Sequence, residues 1–217
     1  MSEARPALAA MARRHSWSKV DDTAPTHEEL LELVAGAGRV ADHSSLHPWR
    51  LIEIRGDARL RLGRALNKAN GESGVSSKPM RAPLLIAVIA TVHKSEKVPA
   101  WEQEAVASGV AHMLSLALDE AGWGVLWRTG HATRTKAVAK ARGLGKKERL
   151  LGWLYVGGKP EGKKPGRRQA SRGISEGCDE RFGLGLLDHQ FHRGRGVQIG
   201  HRHQRPRLSS SRSRALT

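Results

Sequence analysis

Pro83-Leu84-Leu85-Ile86-Ala87-Val88-Ile89-Ala90-Thr91-Val92 decides the fold. It is a charge-free apolar run of strand length, continuous where a half-buried strand would alternate. A strand of that composition belongs at the centre of a sheet with both faces covered. Working toward the C-terminus, helical period returns from about Pro99 to Ala121, a long helix expected at the heart of the domain. Val125-Leu126-Trp127 reads as a short strand, Thr133 to Ala141 as a helix, and Leu151 to Val156 as a last strand. Toward the N-terminus, Gly71 to Pro79 is a Gly/Ser/Lys loop, Gly56-Asp57 opens a helix to about Ala69, and Trp49 to Arg55 alternates as a half-buried strand does. Thr26, with Glu29 three positions on, predicts a capping box that opens a helix from Glu28 to about Gly38, with Leu30, Leu31, Leu33 and Val34 toward its buried face. Residues 5–14 form a short helix with Arg13 and Arg14 at the end that cations favour. Strands alternating with helices in this way predict an α+β sandwich.

The chain has 217 residues and a formal charge of +16, half of which falls in residues 161–217. That tail is rich in Gly, Arg, Ser and His and has one small apolar cluster, Phe182-Gly183-Leu184-Gly185-Leu186-Leu187. It cannot bury enough apolar surface to offset its ordering entropy. Residues 1–165 are therefore read as the folded domain and 166–217 as a disordered basic tail. As a functional segment, the tail is a phosphate-tracking arm; the same composition also arises from GC-rich coding DNA read out of frame. The single cysteine, Cys178, lies in it, so one chain holds no disulfide and no cysteine-based metal site. No signal-peptide core and no membrane-length apolar run occurs. A soluble, cytoplasmic protein without membrane contact is expected.

Polar residues gather where elements end: Arg13-Arg14-His15-Ser16, then Arg39 with Asp42-His43-Ser44 in the hinge Arg39–Arg50, then Trp127-Arg128-Thr129-Gly130. Element ends are the usual location of ligand contacts. Arg offers a planar fork for phosphate and Ser/Thr hydroxyls add donors, so the clusters suit a phosphorylated, partly aromatic cofactor. On composition alone, exposed charged turns explain them better. Other signals fail. Gly143-Leu144-Gly145-Lys146-Lys147 lacks the spacing of a phosphate loop and reads as a helix stop. No Ser stands in a nucleophile elbow, and no side chain is assigned a catalytic role. His93 and His112 read as surface or satisfied histidines, and His201 and His203 as solvated ones.

Arg14-His15-Ser16, Ala24-Pro25-Thr26, Ala41-Asp42-His43 through Pro48-Trp49, Arg81-Ala82-Pro83, Lys97-Val98-Pro99 with Trp101-Glu102-Gln103, Trp127-Arg128-Thr129-Gly130, and Tyr155-Val156-Gly157 follow in that order. Together they resemble the small FMN-dependent nitroreductases over about residues 8–168. The resemblance implies an α+β sandwich around a mainly antiparallel sheet, built as a homodimer, with FMN at the subunit interface and NAD(P)H as electron donor. It implies flavin contacts from Arg14, His15 and Ser16, from Arg39 and His43 of the partner subunit, and from Trp127, Arg128 and Thr129. Ala117 to Gly122 corresponds to a segment associated with the nicotinamide nucleotide. The implied reaction is two-step hydride transfer to a small-molecule acceptor, a nitroaromatic or a quinone. His15 stands where the family commonly has Arg, so FMN affinity is expected to vary with pH around an imidazole pKa of about 6.5. A one-residue gap would instead bring Arg13 into register. Beyond Arg168 the resemblance stops. The rivals are a related dehalogenating or flavin-fragmenting flavoprotein, and a nucleic-acid-binding protein acting through the basic tail.

Overall fold

The structure, a computed structural model, describes residues 5–162. The boundary expected at 165–166 and the basic tail lie outside the described residues.

Four strands, β1 (Trp49–Ile54), β2 (Leu84–Thr91), β3 (Trp123–Arg128) and β4 (Glu148–Gly158), form one antiparallel sheet in the order β1-β2-β4-β3. β2 lies inside the sheet, as its apolar run predicts. Its alternate residues serve two cores. Leu84, Ile86 and Val88 pack with Leu114 and Leu118 of α4 (Ala100–Glu120) and Leu30 of α2 (His27–Ala37). Leu85, Ala87 and Ile89 pack with Leu62 and Leu66 of α3 (Asp57–Ala69) and Val138 of α5 (Lys136–Ala141). Helices on both faces explain why an antiparallel strand here carries a continuous apolar sequence. A short α1 (Pro6–Arg13) lies against α4.

The α+β expectation holds, with four local corrections. The expected helix 133–141 is split: Thr133 and Thr135 hydroxyls donate back to the Gly130 and Ala132 carbonyls at 2.8 and 2.9 Å, giving a one-turn helix His131–Arg134 before α5. β3 and β4 are longer than their apolar centres. Leu31 is 57% exposed, not core. The capping box is half made: the Thr26 hydroxyl accepts from the Glu29 amide at 3.2 Å, while the Glu29 carboxylate accepts from Trp123 Nε1 at 2.5 Å. That second bond pins α2 to β3, a tertiary use that the local pattern cannot announce.

Two further features position the site. Residues 17–23 run as a strap from Val125 of β3 across Gly124 and Gly157 to the end of β4. The Trp17 amide donates to Val125 at 2.9 Å, Asp21 to Gly158 at 3.0 Å, and Gly158 to Thr23 at 3.0 Å. The Asp21 carboxylate accepts from the Thr23 hydroxyl and amide and from the Gly158 amide, bonds that hold its pKa below the ordinary value. On β4, a bulge leaves Leu151 unpaired between Leu150, opposite Ile89, and Gly152, opposite Val88. The β3–β4 ladder ends beside it, at Arg128 opposite Trp153. Among the described residues no helix is long and apolar enough to cross a membrane.

Candidate functional site

Where β3 leaves the sheet, a cavity of about 550 Å³ opens between its end, the turn after it, the C-terminal end of α3 and the turn Lys78–Arg81. That volume falls in the range of small-molecule and cofactor sites. Trp153 and Tyr155, two apart on β4 and on one face of the sheet, form part of its wall; Trp127 borders it, with its indole on the opposite face, toward α4 and Gly152. Lys78, Arg81, Arg128 and His131 supply charge or donors, and no carboxylate lines it.

The donors are unspent. Trp127 Nε1, Trp153 Nε1 and Arg128 Nε are buried and, among the described residues, unpaired. Such groups cost about 1–3 kcal/mol each unless something accepts from them. The Arg128 guanidinium sits 5.3 Å from the Tyr155 ring centroid, a cation–π contact that fixes its plane. Tyr155 is 6% exposed. Burial raises its pKa, against the opposing pull of Arg128 and Arg81, so the phenol keeps its proton at neutral pH. On the other side, Trp127 meets the His112 ring edge-on, centroids 4.9 Å apart.

Gly152 makes this closeness possible. A Cβ there would lie 2.4 Å from Trp127 Nε1 and 2.5 Å from the Arg128 carbonyl oxygen. The bulge delivers a residue without a side chain where the end of β3 crowds in.

Of the residues expected from sequence, Trp127, Arg128 and Thr129 line the cavity. Arg14 and His15, both half-buried, and exposed Ser16 do not. The Trp17–Val125 bond nevertheless lays that segment along β3. His15 Nδ1–H donates to the Arg13 carbonyl, and Arg13 is engaged by Glu120 at 3.2 Å, so the alternative register finds its arginine occupied. Arg39 and His43 are exposed and stand off the cavity; His43 Nδ1 lies 3.0 Å from Glu102 Oε2 on the first turn of α4. The hinge around them is strained. Ser44, Ser45 and His47 all have positive φ (63°, 49° and 47°), held by Asp42, whose carboxylate accepts from the His47 amide at 2.7 Å.

Sequence reasoning missed Lys78, Arg81, His131, Trp153 and Tyr155. The available signals were two cations directly before a buried strand, and Trp153 and the chain's only tyrosine at period two on a strand.

The Nitroreductase family profile matches residues 11–158. YdjA of Escherichia coli (strain K12), provisionally named an NAD(P)H nitroreductase, is 33% identical over 159 residues, covering 70% of this chain and 87% of that protein. Among solved structures, a nitroreductase-like family protein from Bacillus cereus superposes with a TM-score of 0.65 at 20% identity, covering 82% of this chain and all of the other. An FMN-dependent nitroreductase from Clostridium difficile R20291 gives 0.57 at 22% identity, covering 74% and 91%.

Proposed function

The chain belongs to the nitroreductase family, and from that premise we propose that it is an FMN-dependent NAD(P)H oxidoreductase acting on nitroaromatic or quinone-type acceptors. One observation carries the reading: an aromatic-walled, cationic cavity whose buried donors Trp153 Nε1 and Arg128 Nε have no partner among the described residues. A planar heteroaromatic ring rich in acceptor atoms, joined to a phosphate, fits that donor set, and the absence of a Cβ at Gly152 lets the end of β3 that carries Arg128 and Thr129 lie where it does. Bound there, FMN supplies hydride acceptance from NAD(P)H and delivery to a second substrate.

The chain's own residues bind and orient. Trp153 and Arg128 donate from the wall. Lys78, Arg81 and Arg128 place positive charge where negative charge gathers on reduction. Tyr155, a protonated phenol, holds Arg128 and offers a further donor. Arg39 and His43 serve the cavity of a second copy, in a homodimer. Exposed Leu8 and Met11 on α1 and Trp101 and Met113 on α4 supply the apolar surface for that pairing.

The test is a visible absorbance spectrum of purified protein, followed by FMN titration of the stripped chain and anaerobic addition of NADH or NADPH. A flavin spectrum bleached by the nicotinamide and restored by a nitroaromatic or quinone is expected. A colourless protein that takes up no FMN and oxidises no NAD(P)H overturns the reading. Substrate profiling of the loaded enzyme then separates nitroreduction from dehalogenation and flavin fragmentation.

A further inference from the structure

The α3/α5 layer carries charge that the flavin reading does not use. On α3, Arg61, Arg64 and Lys68 are exposed and spaced three and four apart, one stripe opposite buried Leu62, Ala65 and Leu66. On α5, Lys136 and Lys140 share the exposed face opposite Val138. The turn that follows adds Arg142, Lys146 and Lys147. Among the described residues none of these eight side chains makes an ion pair or hydrogen bond. Of the nearby carboxylates, Glu148 is committed to Arg50 and Glu104 to Arg134 and Arg149, while Asp57 and Glu72 stand exposed at the two ends of α3, so the stripe between them keeps a cationic surplus.

The layer is also internally repulsive. Arg142 is only partly exposed, and its Nε is buried without a partner. Burial, then the neighbouring Arg61 charge, pull its pKa below the ordinary guanidinium value. A half-buried guanidinium beside another, with no carboxylate, is costly in the protein alone and is relieved by an external anion.

We infer that the outer face of α3 and α5, with the turn Arg142–Lys147, is a binding surface for the phosphate backbone of double-stranded nucleic acid. A helical stripe beside a second run of cations presents charge at several points, as a polyanion requires and a single small anion does not. A bilayer would add insertion of apolar side chains to the headgroup attraction, and none of the exposed large apolar residues lies on α3 or α5, so duplex is favoured and anionic vesicles are an arm of the test. Single strands are held by base stacking, and no exposed aromatic residue is there either. What remains is backbone contact, indifferent to sequence and strongly salt-dependent. The surface belongs to the folded domain, so it differs from an arm formed by the tail.

The experiment uses the full chain in three forms, with fluorescence anisotropy on two labelled duplexes of unrelated sequence across a salt series. The first form is unaltered. The second combines Arg61→Gln, Arg64→Gln, Lys68→Gln, Lys140→Gln, Lys146→Gln and Lys147→Gln. The third neutralises tail residues only, with Arg202→Gln, Arg205→Gln and Arg207→Gln. The unaltered chain is expected to bind both duplexes alike. The helix-layer variant is expected to bind about tenfold more weakly or worse. Its salt slope should be shallower by about 0.9 for each phosphate it no longer neutralises. Circular dichroism should show it folded, with a melting temperature equal or higher, because the substitutions relieve repulsion. Three results overturn the proposal: no duplex binding by the unaltered chain, a helix-layer variant within about twofold of it, or binding to anionic vesicles with none to duplex. A loss confined to the tail variant assigns the binding to the tail and also overturns it.

Discussion

At the scale of single residues, the site depends on two positions with opposite requirements. Gly152 must lack a side chain. In Gly152→Ala the new methyl meets Trp127 Nε1 and the backbone oxygen of Arg128. A carbonyl at a strand end cannot swing away as a long side chain does, so the end of β3 must shift. Purified Gly152→Ala is expected to retain little FMN, read as the ratio of flavin to protein absorbance; full retention would show that the cradle is not used. Arg128 must keep its charge. Arg128→Met keeps the stem packed beside Tyr155 and removes the guanidinium. A hydrogen bond to a charged partner contributes about 1.5–3 kcal/mol, so the FMN dissociation constant should rise roughly ten- to a hundredfold in a fluorescence titration. Thermal stability should change little, because Arg128 Nε has no protein partner to lose.

At the scale of elements, side chains far apart in sequence tie loops to the sheet. Arg50 on β1 donates to both carboxylate oxygens of Glu148 at the start of β4, at 2.5 and 2.9 Å, and Glu148 also accepts from the Gly145 amide at 2.8 Å. The Arg50 guanidinium holds the Glu148 pKa down, from an ordinary 4.5 to about 2. Its stabilisation is therefore complete above pH 4.5 and fades as pH falls toward 2. Arg50 is partly open to solvent, which screens the pair, so Glu148→Gln should cost only about 1–2 kcal/mol at neutral pH. Chemical denaturation of both proteins should show that gap closing between pH 4.5 and 2; a gap that persists undiminished in acid would rule out the carboxylate as its source. Gln103, 1% exposed, plays a similar part for the loop before α4. It accepts from the His93 amide at 2.7 Å and donates to the His93 and Val98 carbonyls at 3.0 Å each. Gln103→Leu leaves those groups buried and unmet, and a loss of about 3 kcal/mol is expected in the same assay. Elements marked by period were legible in the sequence: the β2 run, α4, and the Thr26 start of α2. What was illegible depended on distant partners. Nothing local announces that Glu29 serves Trp123, or that the Gly/Ser/Lys loop delivers Lys78, and the turn after it Arg81, to a cavity formed by strands much later in the chain. Trp127, Arg128 and Thr129 were reached through the motif pattern; their composition alone favoured an exposed turn.

At the scale of the whole molecule, Arg39 and His43 stand outside the cavity that their sequence pattern suggests. If a second copy supplies them, dimer and flavin stand or fall together. The double variant Met11→Glu, Met113→Glu places charge on the apolar face of α1 and α4 and should run as a monomer in light scattering, with lowered flavin retention. A monomer that keeps its full flavin would separate the two properties. The strap of residues 17–23 makes a separate demand on the sheet beneath it. It leaves β3 at Val125 and crosses the sheet over the paired Gly124 and Gly157, where an added Cβ would come within 2.9 Å of Val20 at either position. Residues 17–23 thus rest on a floor of two paired glycines, and a side chain at either would lift the N-terminal segment off the sheet.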